Sequence, residues 1–171
     1  ILAGGCFWCV EPDFEKLNGV ISAVSGYTGG TISKPTYQNY HDTVNGAVSH
    51  VEAVQVTYDP SVVSYQALLD YYFRHIDPTD GGGQFCDRGE PYRPVIFTQD
   101  DNEKTIAENT KMKVAELLDK KVEVEILPAA HFWPAEEYHQ KYHEKNPKRY
   151  AFYRWNCGRD ARVKEVWGNV K

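Results

Sequence analysis

The chain has 171 residues, 42% of them hydrophobic and 25% charged, with a formal net charge of −5. That is enough apolar material for one domain with a sizeable core, and the excess of acid argues against a nucleic-acid surface, which needs a basic face. No apolar run reaches membrane-spanning length, so no membrane span is expected, and no signal peptide is visible.

The chain opens on Ile1-Leu2-Ala3, a short apolar run that reads as a strand already under way, which leaves room for residues ahead of Ile1. Phe7, Val10, Phe14 and Leu17 then recur at helical spacing and form one face, with Gly19 as the stop. Pro12 is awkward inside that helix, so the spacing predicts a proper start near Glu11. Val20 to Ser25 reads as a strand, and Gly26-Tyr27-Thr28-Gly29-Gly30 as a turn-rich loop. Lys34 to Tyr40 reads as a loop or short helical turn, and His41 to Ser49 as irregular. Val51 to Tyr58 is a strand closed by Asp59-Pro60. Ser64 is placed to cap a helix running to about His75, with Leu68, Leu69, Tyr72 and Phe73 turned inward.

Asp77 to Tyr92 is a long stretch without periodicity, and loops of that length usually carry function or move. Pro94 to Thr98 reads as a strand, and Asp100 or Asp101 as the cap of a helix to about Asp119, with Ile106, Val114, Leu117 and Leu118 inward. Val122 to Leu127 alternates Val with Glu and reads as a strand. Pro134 opens a helix through about Glu144, and after Asn146-Pro147 the tail reads as irregular and aromatic up to a short helix near Val163 to Trp167. Strands and helices interleave without repeats or linkers, so a sheet covered by helices is expected, α+β or α/β, in one domain.

The chemistry centres on Gly4-Gly5-Cys6-Phe7-Trp8-Cys9. Cys6 falls at a strand-to-helix turn, where free N–H groups favour an anion and so the thiolate, which is the nucleophilic form. Two glycines allow the tight turn, and Phe7 and Trp8 are placed to grip an apolar group. Core filling is the plainer account of a Cys-Phe-Trp-Cys run. A CxxC pair at a helix start also fits a thioredoxin-like thiol-disulfide oxidoreductase working through Cys6 and Cys9.

In the Val51–Tyr58 strand, Glu52 shares a face with Val54, Val56 and Tyr58 and so points inward, unless it bends out at the strand start. A buried carboxyl group resists ionisation and can donate a proton near neutral pH. Tyr37, Asp87 and Tyr92 lie in loops, where binding groups gather, although ordinary packing explains most tyrosines in a chain with twelve. Four cysteines are too few for a disulfide scaffold. A zinc site of Cys6, Cys9, Cys86 and Cys157 lacks the second paired motif such sites show, so no metal is expected.

Gly5-Cys6-Phe7-Trp8 resembles the signature of the A-type peptide methionine sulfoxide reductases. Gly26-Tyr27-Thr28-Gly29-Gly30, Pro35-Thr36-Tyr37, His50-Val51-Glu52-Ala53-Val54, Asp59-Pro60, His75-Ile76-Asp77-Pro78, Asp87-Arg88-Gly89, Tyr92-Arg93 and Ala135–Tyr142 follow in the family's order. The likeness covers residues 1 to 150. It implies reduction of the S epimer of methionine sulfoxide, free or in proteins, with Cys6 as nucleophile and Glu52 as proton donor. It implies that Tyr37 and Tyr92 bond the sulfoxide oxygen, that Phe7 and Trp8 hold the S-methyl group, and that Asp87 supports the pocket. It also implies a two-layer α+β sandwich of the ferredoxin-like kind, thioredoxin as reductant, and no cofactor.

The sulfenic acid formed on Cys6 needs a second thiol. Here the chain departs from the family, which often has Gly at Cys9 and Asn at Cys86, and whose resolving cysteine usually comes sooner after the Asn-Pro segment. Cys157, flanked by Gly in a tail that can move, is expected to resolve, ahead of Cys86 and then Cys9, whose bridge to Cys6 would strain the helix. The expectation is one catalytic domain over 1–171, with a core of about 1–150 and a tail of 151–171, acting as a cytoplasmic monomer.

Overall fold

The computed structural model describes residues 1–43, 46 and 48–168. The strands are β1 (Leu2–Ala3), β2 (Val20–Thr28), β3 (Val51–Tyr58), β4 (Gly83–Gln84), β5 (Asp87–Arg88), β6 (Val95–Thr98), β7 (Glu125–Pro128) and β8 (Trp133–Pro134). The helices are α1 (Phe7–Glu15), α2 (Tyr65–Phe73), α3 (Asp101–Leu118), α4 (Tyr142–Lys145), α5 (Pro147–Asn156) and α6 (Arg159–Trp167). One sheet has the order β7-β6-β1-β3-β2-β8, and β4 and β5 form a small separate hairpin. Within the sheet, β1, β2, β3 and β6 pair antiparallel with α1 and α2 between them, which is the split β-α-β arrangement of a ferredoxin-like sandwich. The strand β7 adds parallel to β6 after the α3 crossover.

One face of the sheet carries the main core. Leu2, Tyr27, Val54 and Ile96 meet Phe7, Val10 and Phe14 of α1, Leu68, Leu69, Tyr72 and Phe73 of α2, and Ala107 and Val114 of α3. The other face has a smaller cluster of Ala3, Val51, Ala53, Val95 and Phe97 under Leu127 and Phe132. The strand β3 therefore divides as its alternation predicts, with Glu52, Val54, Val56 and Tyr58 toward the helices. Caps fall where expected: Ser64 accepts from the Ala67 N–H at 3.2 Å, and Asp100 from the Glu103 N–H at 2.8 Å.

Several elements depart from the sequence reading. The helix α1 starts at Phe7 and keeps Pro12 inside it. The proline removes the hydrogen bond to the Trp8 carbonyl at a cost of about 3 kcal/mol. Burying Phe7, Val10 and Phe14 at roughly 1.5–3 kcal/mol each outweighs that. The strand β2 continues through Gly26-Tyr27-Thr28, because it is paired on both edges there, to β3 and to β8. A Cβ at Gly26 would lie 2.4 Å from the Trp133 carbonyl oxygen, so that second pairing needs glycine. The stretch 77–92 is partly ordered, as the β4–β5 hairpin and a 3₁₀ turn over Glu90–Tyr92. The strand β7 begins only at Glu125, with Val122 and Val124 buried ahead of it, and Leu117 points outward at 51% exposure. Part of the expected irregular segment 41–49 lies outside the described residues.

The largest differences are at the end of the chain. Pro134 sits in β8, and the long helix expected after it shrinks to α4. The Gln140 side chain exchanges hydrogen bonds with the Ser25 backbone at 3.0 and 2.8 Å, and Lys141 takes a left-handed φ of 50°. Both interrupt a helix. Up to residue 168 the tail is helical instead of irregular. Pro147 opens α5, and Tyr150, Tyr153, Arg154 and Cys157 share the face turned to the rest of the protein.

Candidate active site

Cys6 is the N-cap residue of α1, one step past Gly5, whose φ is 82°. A Cβ on Gly5 would stand 2.6 Å from the Gln84 Cβ, so the turn needs glycine both for its φ and for its neighbour. That close approach places the β4–β5 hairpin, and Asp87 with it, beside Cys6. The thiol is buried, with 7% of the residue exposed. The expected stabilisation of a thiolate by the helix end is not the dominant effect. The first free N–H group, that of Phe7, donates to Oε2 of Glu52 at 3.0 Å. Burial pushes the Cys6 thiol well above its ordinary pKa, the negative charges of Glu52 and Asp87 add to that, and the Tyr153 hydroxyl works against it.

Glu52 is fully buried at the start of β3, facing α1 as its strand phase predicts. Burial raises its pKa to about 7, with the Phe7 N–H and the Tyr40 hydroxyl the main opposing influences. Tyr40 O–H donates to Oε1 of Glu52 at 3.0 Å, and the Tyr40 and Tyr92 hydroxyl oxygens are 3.2 Å apart. Tyr92 ends the 3₁₀ turn that follows Gly89, whose φ is 98°. Tyr37 is 37% exposed; its ring lies 4.5 Å from His139, and its backbone N–H donates to Glu136 at 2.8 Å. Burial raises the Tyr37 pKa, and the charges of Glu52 and Cys6 add to that. The Cys6 thiol, the Glu52 carboxyl group, which can be protonated at neutral pH, and the Tyr40 and Tyr92 hydroxyls thus converge, with Tyr37 alongside.

The aromatic wall is built from α1 and the segment after β8. Trp8 Nε1–H donates to Nδ1 of His139 at 3.0 Å, and its ring stacks on Tyr142 at 3.7 Å between centroids. His139 is 1% exposed, and burial lowers its pKa, which keeps the ring neutral and able to accept from Trp8. Phe7 is a core residue, tilted onto Tyr27 and His139. It supports the wall from beneath, while Trp8 is partly exposed.

The tail closes the site. Tyr153 O–H donates to Oδ2 of Asp87, its oxygen is within hydrogen-bond reach of the Cys6 thiol, and its ring meets Trp8 edge-on at 5.7 Å. Cys157, one turn further along the same face, is joined to Cys86 by a disulfide across 71 residues of sequence. Cys6 and Cys9 are free thiols. Cys157 and Cys86 therefore meet each other, beside Asp87, where the sequence reading paired Cys157 with Cys6. The four-cysteine metal set is not available while these two are spent on each other. Cys9 lies inside the first turn of α1, its N–H bonded to the Cys6 carbonyl at 3.1 Å, and burial pushes its thiol up to about 11. A Cys6–Cys9 bridge would break that turn.

Cys6, Glu52, Trp8, Tyr37, Asp87 and Tyr92 are thus brought together, with Phe7 behind them. Tyr40, His139 and Tyr153 were missed. Tyr153 sits one turn before Cys157, a spacing signal that only a helical reading of the tail reveals, whereas Tyr40 meets Glu52 and Tyr92 from a distant strand and turn. An open cleft elsewhere, between Glu11, Ser22, Glu137 and Lys141, includes none of the converging groups.

The family model for peptide methionine sulfoxide reductase matches residues 1–171. A Vibrio cholerae protein, peptide methionine sulfoxide reductase MsrA/MsrB, is 47% identical over 98% of this chain, which spans 44% of that longer protein. Peptide methionine sulfoxide reductase MsrA 2 of Staphylococcus aureus is 48% identical over 98% of this chain and 94% of its own. Among solved structures, the reduced form of Mxr1 from Saccharomyces cerevisiae is similar, with a TM-score of 0.76 and 33% identity over 86% of this chain and 84% of that one. Mxr1 in complex with Trx2 is also similar, with a TM-score of 0.58 and 26% identity over 82% and 81%.

Proposed function

The chain belongs to the peptide methionine sulfoxide reductase family, oxidoreductases that reduce methionine sulfoxide, and we propose that it takes the S epimer, free or in proteins, with Cys6 as nucleophile and Glu52 as acid. The observation that carries this reading is the Glu52 carboxyl group, buried beside the Cys6 thiol with a pKa of about 7. The sulfoxide sulfur is electrophilic and its oxygen becomes basic as the S–O bond weakens. The site matches both needs: a sulfur to attack and an acid to protonate.

The reaction balances without a cofactor. The sulfur of Cys6 attacks the sulfoxide sulfur, Glu52 protonates the oxygen, and Tyr37 and Tyr92 hold it. The protonated oxygen then passes as hydroxyl to the Cys6 sulfur: its bond to the substrate sulfur and the new S–S bond both break, methionine leaves as the thioether, and Cys6 is left as a sulfenic acid. Trp8, backed by Phe7, gives the S-methyl group an apolar surface, and Asp87 supports the pocket. The buried thiol loses its proton as it attacks, and Glu52, having given its own proton to the oxygen, takes that one up.

Cys157 then attacks the sulfenic sulfur, releasing water and forming a Cys6–Cys157 disulfide. Cys86 attacks Cys157 in turn, which frees Cys6 and leaves the Cys86–Cys157 bridge. A dithiol of the thioredoxin kind reduces that bridge. The exposure of Cys86 at the surface supports this last step, as does the capture of the relative Mxr1 with Trx2. The tail belongs to the catalytic unit in this reading, because α5 brings both Tyr153 and Cys157 to the site. No helix among the described residues is long and apolar enough to cross a membrane. We place the protein, as a monomer, in the reducing cytoplasm that such a cycle needs.

The test is turnover of each methionine sulfoxide epimer separately, with dithiothreitol as reductant and methionine as the product measured. Methionine is expected from the S epimer. No turnover of the S epimer overturns the reading.

A further inference from the structure

Tyr40 is not among the groups that sequence likeness assigns to the reaction, yet it is the residue most tightly built around the acid. It is 3% exposed. Its ring stacks on Tyr27 at 4.7 Å between centroids. Its N–H donates to the Thr36 carbonyl, and its own carbonyl accepts from the His50 N–H, each at 2.9 Å. His50 lies two residues before Glu52, so the backbone that carries Tyr40 is tied to the strand that carries the acid.

A tyrosine hydroxyl has one hydrogen to give and lone pairs to receive. Tyr40 stands between two oxygens, Oε1 of Glu52 at 3.0 Å and the Tyr92 hydroxyl at 3.2 Å. The two bonds can therefore form together in only two directions. When Glu52 is ionised, Tyr40 must donate to the carboxylate and Tyr92 must donate to Tyr40. The hydrogen of Tyr92 is then used up inside the protein. When Glu52 carries a proton on Oε1, the line reverses: Glu52 donates to Tyr40, Tyr40 donates to Tyr92, and the hydrogen of Tyr92 is free to point at a bound oxygen.

We propose that Tyr40 is a positioning residue of the reduction, whose hydroxyl couples the protonation of Glu52 to the direction in which Tyr92 donates. The inference rests on the reading of Glu52 as the acid and Tyr92 as a sulfoxide-oxygen donor. It adds that the two act as one unit. A deprotonated acid withdraws not only its own proton but also the hydrogen of Tyr92, which sharpens the requirement for the protonated form. The titratable groups facing Glu52 are Cys6, Tyr27, Tyr37, Tyr40, Asp87 and Tyr92. Of these, Tyr40 is the one whose hydroxyl bonds the carboxyl group directly.

Tyr40→Phe tests this, since it keeps the stacked ring and removes only the oxygen. Losing the donor to the carboxylate raises the Glu52 pKa further. The alkaline limb of kcat/KM for the S epimer should therefore move to higher pH, and kcat/KM at pH 6 should fall about tenfold, the usual worth of one hydrogen bond. Thermal stability should change little. Independently of turnover, the infrared carbonyl band lost in Glu52→Gln reports the acid, and its titration should shift upward in Tyr40→Phe. A uniform loss of activity with an unmoved limb would make Tyr40 merely structural and overturn the proposal. So would an unchanged carboxyl titration, whatever the substrate. Failure of the wild-type protein to reduce the S epimer would instead strike the underlying function.

Discussion

The backbone N–H of Phe7, the first free donor of α1, points at Oε2 of Glu52 and not at the sulfur of Cys6 one residue before it. The helix end therefore stabilises the carboxylate, while the thiol beside it is left in a buried site that opposes its ionisation. The thiol thus keeps its proton at neutral pH, and the carboxyl group, with a pKa of about 7, exchanges its own there. In the proposed reaction the carboxyl group must carry its proton when the sulfoxide oxygen needs it.

Glu52→Gln keeps the shape of the acid and removes its proton. Turnover of the S epimer should fall by about 10²–10⁴, the usual worth of a positioned general acid. Stability gives a second readout. The carboxyl pKa is about 7 in the folded protein against 4.5 for the free group. Between those values the folded state holds a proton that the unfolded chain has lost, so stability falls as pH rises through that window. The total is roughly 3 kcal/mol. Denaturant unfolding of the wild type should show this loss between pH 4.5 and 7 relative to Glu52→Gln, which lacks the group. Parallel pH curves for the two proteins would mean that Glu52 is not held protonated.

The cysteines should separate into three behaviours. Cys9→Ser should keep reductant-driven turnover, because that thiol is held inside the first turn of α1. Cys157→Ser should release about one methionine per enzyme and then stall with thioredoxin, while dithiothreitol sustains it. Cys86→Ser should accumulate a Cys6–Cys157 disulfide, visible by peptide mass mapping. A Cys6–Cys86 species in Cys157→Ser, with normal thioredoxin turnover, would make Cys86 the resolving thiol.

The sheet was readable because its strands bury one face at a time. The alternation in β3 places Val54 and Val56 toward the helices, and Glu52 has to follow them. Cys6 was readable from Gly4-Gly5, since only a tight turn needs both. The tail was not, because Tyr150, Phe152, Tyr153 and Trp155 look like aromatic clutter until α5 is wound. Then Tyr153 faces Cys6 while Phe152 and Trp155 stay exposed. Tyr40 escaped for a different reason. Its partners, Glu52 and Tyr92, come from a strand and a loop far along the chain, and no spacing announces a contact of that kind. The predicted thiolate failed on depth: the helix end was read correctly, but burial outweighs it.

The Cys86–Cys157 bridge holds α5 down, with Tyr153 against Cys6. Alkylation of Cys6 by iodoacetamide should therefore be slow in the disulfide form. Reducing the bridge should speed it by about tenfold or more, as the segment gains freedom to open. Tyr153→Ala should remove most of that difference by exposing Cys6 in the oxidised protein. Mass spectrometry of the Cys6 peptide follows the rate. Equal rates before and after reduction would mean that the tail does not cover the thiol.

Arg159 is the anchor that makes this cover part of the fold. It is buried, donates to the Gly4 carbonyl at 3.1 Å and to the His75 carbonyl at 3.0 Å, and stands 3.7 Å from Asp13 on α1. Arg154 reaches the same Asp13 at 2.9 Å. Gly4 opens the turn that carries Cys6, so the tail is fastened to the nucleophile's own backbone. Lysine cannot make both carbonyl bonds in that geometry, because it lacks the planar fork. Arg159→Lys should therefore destabilise the protein by about 2–4 kcal/mol, the range for disturbing a buried, hydrogen-bonded charge. Removing the counter-charge in Asp13→Asn should cost a similar amount, on the order of 3 kcal/mol. In both variants the amides of α5 and α6 should lose hydrogen-exchange protection before those of β3 and α2. If protection fell evenly across the molecule, the anchor would be supporting the whole core and not the tail.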